Sequence, residues 1–286
     1  SAAGDETLAE ALGAVRDIGP PVHDLLLERL GIYLAIGGMP EAVASWVTHG
    51  DLPRSRRVLS GLAENYRSDF AKYARRHEVK YVDLLFNEAA SMQGRRFVFA
   101  HVPGEYRARE LAPALGLLEK AGVLHRVVQS PGSGCPLRAG ARPDRFKVVG
   151  LDVGLTQALL ELDTAELVLD AATAITHRGA IAEAFVGQEL IAYSSPWARR
   201  ELFYWHREAR GSSAEVDYLV EDNGKVIPVE VKSEGRGRLT SMRLFLEKNR
   251  GLSPFGIRFS PHPFSIVDDL QSWPLYAVAG LSADTP

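Results

Sequence analysis

Along "YVDLLFNEAASMQG", Val82, Leu85, Phe86 and Ala89 stand three and four positions apart, the spacing of one helix face. The same period returns in "RARELAPALGLLEKAG" through Leu111, Leu115 and Leu118, with Gly122 placed to cap the helix. Pro113 inside that stretch predicts a weakened or kinked helix, because proline has no amide donor. "RRFVFAHV" between the two reads as a short extended segment or turn. "VLHRVVQS" and "RFKVVGLD" read as strands on either side of a Gly/Pro-rich loop at 131–143. Upstream, "LLLERLGIYLAIGGMPEAV" reads as helix, loop, helix, and its Gly37–Gly38–Pro40 turn has a packing role.

Further along, "THRGAIAEAFVGQELIAY" predicts an amphipathic helix with Ile181, Phe185, Ile191 and Ala192 towards the core. "ELFYWH" predicts a strand with His206 and Arg207 near its end. "RLTSMRLFLEKN" predicts a helix with Leu239, Met242, Phe245 and Leu246 inward. "SPFGIRFS" and "PFSIVDDL" are two short strands that complete a sheet. Trp46, Trp197, Trp205 and Trp273 show no stacking pattern and are expected in or near the core.

The most informative stretch is "EVDYLVEDNGKVIPVEVKSEG" (215–235). Asn223–Gly224 is a strong hairpin signal, because both central residues of a type I′ turn need positive φ. Asp222 then faces Lys225, Asp217 falls opposite Glu230, and Glu215 falls opposite Lys232. With a period of two, these last four share one face, and Val216, Tyr218, Val220, Val229 and Val231 fill the other. Glu215 and Lys232 form an opposite-charge pair. Asp217 and Glu230 are like charges, which face each other at roughly 0.2–1 kcal/mol disadvantage. A cation between them removes that penalty; a solvated edge hairpin or a bulge is the plainer account. An Asp, a turn, then Glu-x-Lys is also what metal-assisted phosphodiester hydrolysis requires. Asp217 and Glu230 would hold Mg²⁺ or Mn²⁺ beside the Val231 carbonyl, and Lys232 would orient the attacking water.

Asp217…Glu230-Val231-Lys232 resembles the PD-(D/E)XK signature of restriction-endonuclease-like folds, with Val216 in place of the proline. The resemblance implies a further acidic residue on the preceding helix, and Glu183 takes that place; alone it reads as a solvated helix position. "YLAIGGMPEAV", "YRSDFAKY", "LLEKAGVLHRV", "FKVVGLDVGLTQALL" and "GAIAEAFV" occur in this order. Together they resemble prokaryotic AAA-type P-loop ATPases carrying a C-terminal, endonuclease-like domain of unknown function. The implied partners are DNA and an N-terminal ATPase domain. The chain reads as the C-terminal part of such a protein or as a natural protein that has lost its ATPase; the stretch "SAAGDETL", inside what resembles the ATPase lid, favours the first.

Charge is distributed unevenly. Residues 54–147 hold 18 basic and 9 acidic side chains, net +9, between flanks of −6 each. Helix, turn, helix and β-hairpin within this basic block predict a winged-helix module, in keeping with the family resemblance. Arg107 and Arg109 open its second helix, and Arg138, Arg142 and Arg145 lie on its wing. All five are candidate DNA phosphate contacts, although exposed arginines and protein-binding winged helices are both common. A single cysteine, Cys135, excludes an internal disulfide and fits a cytoplasmic protein. The eight histidines lack paired ligand spacing, and there is no G-x-S-x-G motif. No run of about 18 apolar residues predicts a membrane span.

The expected architecture is α/β in three parts. Residues 1–53 are a helical remnant of an ATPase lid, 54–150 the winged helix, and 151–286 a restriction-endonuclease-like mixed-sheet domain. The leading expected function is metal-assisted DNA hydrolysis beside an ATPase. The alternatives are a non-catalytic DNA- or protein-binding regulatory module, and a transcription regulator acting through the winged helix alone. The sequence contains no G-x-x-x-x-G-K-[ST]; its one Gly–Lys pair, Gly224–Lys225, belongs to the hairpin and precedes Val226. This chain is therefore expected to show no ATP binding by titration calorimetry and no ATPase activity. A saturable ATP isotherm would overturn that expectation.

Overall fold

The computed structural model describes residues 18–194, 197, 201–209, 212–232 and 239–281. The first part of the expected lid remnant, residues 1–17, lies outside the described residues. Helices α1 (Pro20–Ile36), α2 (Pro40–His49), α3 (Leu52–Tyr73) and α4 (Val79–Ser91) come first. A 3₁₀ turn at Phe99–His101 leads to α5 (Ala108–Lys120), β1 (Leu124–Gln129) and β2 (Arg142–Gly150). Three short helices, α6 (Val153–Leu159), α7 (Ala165–Leu169) and α8 (Ala171–His177), precede α9 (Gly179–Ala192). Then follow β3 (Leu202–Ala209), β4 (Ser212–Asp222), β5 (Lys225–Val231) and α10 (Thr240–Lys248). β6 (Gly256–Ser260), β7 (Ser265–Val267), β8 (Leu270–Pro274) and a 3₁₀ segment at Leu275–Leu281 complete the described chain.

The strands form one mixed eight-stranded sheet in the order β2-β1-β3-β4-β5-β6-β8-β7. β1 pairs antiparallel with β2 and parallel with β3, so hydrogen bonding runs unbroken across residue 150. The hairpin expected as a wing thus supplies two strands of the main sheet. "PFSIVDDL", expected as one strand, instead contains β7 and a turn at Asp268 (φ 56°), with β8 returning antiparallel. α5 runs through Pro113 without a break.

Each sheet face has its own cover. On one side α9 inserts Ile181, Phe185, Val186 and Leu190 against Tyr204, Tyr218, Val229, Ile257 and Phe259. Ala192, expected inward, is exposed at the end of that helix. On the other side Phe245 of α10 packs with Phe203, Trp205, Val216, Leu219 and Val226. A separate cluster joins α4 and α5 to β2 through Leu85, Phe86, Leu111, Leu115, Leu118, Phe146 and Val148. Trp205 and Trp273 are buried, whereas Trp197 is 94% exposed. Among the described residues no helix is long and apolar enough to cross a membrane.

The turn between α1 and α2 shows why its glycines are needed. Gly37 has φ 71°, and a Cβ there would stand 2.1 Å from Asp152 Oδ1. Asp152 caps α6 by accepting from the Leu155 amide at 2.7 Å, and its other oxygen accepts from the Gly38 amide at 2.6 Å. One buried carboxylate therefore fastens the N-terminal helices to the end of β2. Asp152→Ala removes a helix cap and leaves a second amide without its acceptor, so it should lower stability by about 2 kcal/mol. Urea unfolding measures this, and a change below about 0.5 kcal/mol would refute the clamp.

Candidate active site

The hairpin forms as its residues demand. Asn223 (φ 47°) and Gly224 (φ 74°) make the turn, and the ladder runs from Asp222↔Lys225 to Tyr218↔Val229 in the expected register. The next pair in that register, Asp217 and Glu230, lies one step beyond the last ladder pair. There Asp217 Oδ2 accepts from the Val231 amide at 2.8 Å, so a side chain takes over from the backbone ladder. On the other edge of β4, Phe203 pairs with Leu219 but Trp205 pairs with Val216, a shift of one residue. This bulge sets two residues, Asp217 and Tyr218, against the single Tyr204. Strict alternation fails at this point. Val216, expected beside Tyr218, packs instead with Leu219, Val226 and Phe245.

The carboxylates gather around a cation that the sequence pattern did not single out. Lys147 of β2, 2% exposed, holds Glu183 Oε1 at 2.9 Å, Glu215 Oε1 at 2.5 Å and Asp217 Oδ1 at 3.7 Å. Its ammonium also lies 5.4 Å from the centre of the Tyr204 ring. Glu183 reaches this position from α9, whose seat on the sheet is fixed by the Tyr218 hydroxyl donating to the Glu183 carbonyl at 2.8 Å. The expected Glu215–Lys232 pair does not form. Lys232 binds its own strand neighbour, Glu230 Oε1, at 2.7 Å. Glu230 is 4% exposed, and its Oε2 is buried without a hydrogen-bond partner.

Burial and crowding set the ionisation of this cluster. Burial pushes the Glu183 carboxyl up to about 7, and Asp217 adds to the rise against Lys147. Burial, then Asp217, raises Glu230 to about 8, with Lys232 and Lys147 opposing. Asp217 is raised by burial too, although Lys147 and the Val231 amide pull the other way. Burial pulls the Lys147 ammonium down, but Glu183, Asp217 and Glu215 together hold its pKa above the ordinary lysine value. Four carboxylates thus share two ammonium groups, and burial with this crowding favours the protonated form of Glu183 and Glu230.

The five candidate DNA-binding arginines lie on several elements. Arg107 and Arg109 are exposed at the start of α5, where the Arg107 amide donates to Glu110 Oε2 at 2.8 Å. Arg138 is paired with Glu201. Arg142 and Arg145 line a groove with His206 and Arg207. His206 pairs across the sheet with Glu215, beside the acidic cluster. Of the predicted site residues, Glu183 and Asp217 meet through Lys147, and Glu230 and Lys232 meet directly. The signal for Lys147 lay in "RFKVVG", where one lysine interrupts an apolar strand.

The fold is a mixed α/β sheet with helices on both faces, and its buried polar site joins β2, α9, β4 and β5. Residues 27–166 match the model of a domain of unknown function, DUF8612. Residues 178–277 match that of a second domain of unknown function, DUF4143, which is typically found with AAA ATPases. No curated protein and no solved structure matches the chain.

The raised carboxyls give stability a definite pH dependence. Between the ordinary glutamate value near 4.3 and about pH 8, the folded protein keeps protons that the unfolded chain releases. The stabilisation from Glu183 and Glu230 is therefore complete below that window and lost as pH rises through it. Without divalent ions, the melting temperature should fall from pH 5.5 to pH 8.5, and Glu230→Gln should flatten the fall. A Glu230→Gln profile parallel to that of the unchanged protein would refute this assignment.

Proposed function

We propose that this chain is a nuclease-like module of an AAA-type ATPase, acting on DNA by metal-assisted phosphodiester hydrolysis. One observation carries the proposal: Glu183, Asp217, Glu230 and Lys232, picked out by spacing and resemblance, gather in one buried cluster short of positive charge. The donor chemistry fits Mg²⁺ or Mn²⁺, which take oxygen ligands, and the unpartnered Glu230 Oε2 is a buried acceptor in want of a cation. Asp217 and Glu230 would hold the ion, with the Val231 carbonyl as a further oxygen donor. When bound, it would supply Lewis-acid polarisation of a phosphoryl oxygen and a more acidic water. Lys232, tethered to Glu230, stands ready to orient a nucleophilic water by hydrogen bonding. Lys147 keeps Glu183, Glu215 and Asp217 together despite their mutual repulsion. The basic helix–turn–helix and hairpin segment would serve as a winged-helix DNA contact.

A second possibility has its own support. Lys147 already stands among three carboxylates, and no group of three or more His, Cys, Asp or Glu among the described residues converges to hold a metal. A site whose carboxylates are already held by its own lysine suits a non-catalytic DNA- or protein-binding regulatory module. Melting with and without Mn²⁺ at pH 8 separates the two. Metal binding at this site predicts a Mn²⁺-dependent rise, abolished by Asp217→Asn or Glu230→Gln, because a ligand stabilises the state that it binds. Metal-dependent DNA cleavage lost in those variants and in Lys232→Ala, with Lys232→Ala keeping the melting shift, would establish hydrolysis. A melting temperature indifferent to Mn²⁺ and Mg²⁺ would end the metal proposal and leave the regulatory module.

A further inference from the structure

Where β1, β2 and β3 end beside α10, the surface forms a groove of about 400 Å³. Arg142 and Arg145 of β2, His206 and Arg207 of β3, and Lys248 at the end of α10 line it, over Gln129 and Trp205. Four permanent cations converge from three elements, and no described carboxylate is among the lining residues. Arg56, Arg67, Arg126, Arg138 and Arg178 each have an acidic partner. Among the described residues, Arg142, Arg145, Arg207 and Lys248 have none. Concentrating unpaired cations in a concave surface raises the local potential and calls for an anionic occupant.

We infer that this groove binds the phosphodiester backbone of a single nucleic-acid strand and leads it towards the cluster around Lys147. The cations come from three separate elements, β2, β3 and α10, rather than from a single turn or helix end, which suits a chain of phosphates better than a single phosphate. The groove also adjoins the cluster. His206 in its wall pairs with Glu215, a partner of Lys147, and Arg145 lies near enough to the Tyr204 hydroxyl to act on it electrostatically together with Lys147. Arg142 and Arg145 therefore act with Arg207 and Lys248 as one surface, and the adjoining strand ends set its direction.

The placement beside the cluster rests on the proposed hydrolytic site, but binding in the groove does not require it. The test is accordingly made without metal. Fluorescence anisotropy in EDTA follows a labelled single-stranded 20-mer binding to the chain and to the triple variant R142A/R207A/K248A, whose three side chains are exposed. The expected result is an affinity loss of more than about tenfold at low salt. The salt dependence of log K should become shallower by about 2, since each lost phosphate contact on a single strand contributes roughly 0.7. A charge-matched variant, K72A/R75A/R76A, should retain at least half of the slope lost by the first. Equal losses in the two triple variants would show only general charge attraction and overturn the inference. So would unchanged binding in R142A/R207A/K248A, or polyglutamate of equal length displacing the strand as well as unlabelled DNA does. Failure of DNA cleavage in metal, with groove binding intact, would count against hydrolysis alone.

Discussion

Lys147 is the group on which the rest of the site depends. An ammonium at 2% exposure is tolerable only when paired, because an isolated buried charge loses its hydration with nothing in return. The carboxylates around it need it equally, since Glu183, Glu215 and Asp217 could not otherwise be packed so closely as anions. The contact draws together β2, α9 and β4, which lie far apart in sequence. Removing one member of such a group typically costs about 3–5 kcal/mol, more than any exposed ion pair supplies. The same contact joins the two family-matched segments, for Lys147 lies in the first and its three partners in the second. Together with the parallel pairing of β1 and β3, it makes the segments parts of one folded unit.

Much of this was legible in the chain, and what escaped did so for identifiable reasons. Asn223–Gly224 fixed the hairpin register because a type I′ turn admits few residues and the ladder follows from the turn. The positions of α4, α5, α9 and α10 followed from helical spacing of their apolar residues. Alternation could not reveal the one-residue shift between β3 and β4, since a bulge leaves no mark in the composition of its own strand. That shift is why Val216 changed sides. The partner of Glu215 was misassigned because pairing across the hairpin considered only two strands. The actual partner comes from β2, with β3 and β1 lying between in the sheet order. β7 and β8 were merged because "SIVDDL" offers no Gly or Pro to mark its turn, which Asp268 makes at positive φ.

The bulge has a chemical consequence. In a regular strand Asp217 and Tyr218 would point to opposite faces, and only one could meet α9. Here Tyr218 donates to the Glu183 carbonyl while Asp217 lies against Lys147, itself held by the Glu183 carboxylate. One helical residue is therefore fixed at both its backbone and its side chain by consecutive residues of β4. Asp217 is further oriented by the Val231 amide, so its carboxylate has little freedom to follow a ligand. Such restriction is what a positioned donor requires, whether the cation it faces is an ammonium or a metal ion.

Lys147 and a divalent ion need not exclude each other. Fully ionised, Glu183, Glu215, Asp217 and Glu230 carry four negative charges against the two positive charges of Lys147 and Lys232. Burial is the first cause of the raised Glu183 and Glu230 carboxyls and the neighbouring Asp217 adds to it, while one divalent cation would cancel the deficit of two. Lys147 contacts Glu183, Glu215 and Asp217, whereas the unpartnered oxygen belongs to Glu230 on the far strand of the hairpin. Each end of the cluster thus holds one ammonium, Lys147 among three carboxylates and Lys232 on Glu230, and neither reaches Glu230 Oε2. An ion between Asp217 and Glu230 would add to Lys147 rather than replace it, and its binding would favour the ionised form of the raised carboxyls. The lysine would then fix the acidic frame, leaving the remaining charge to be matched by a second, exchangeable cation.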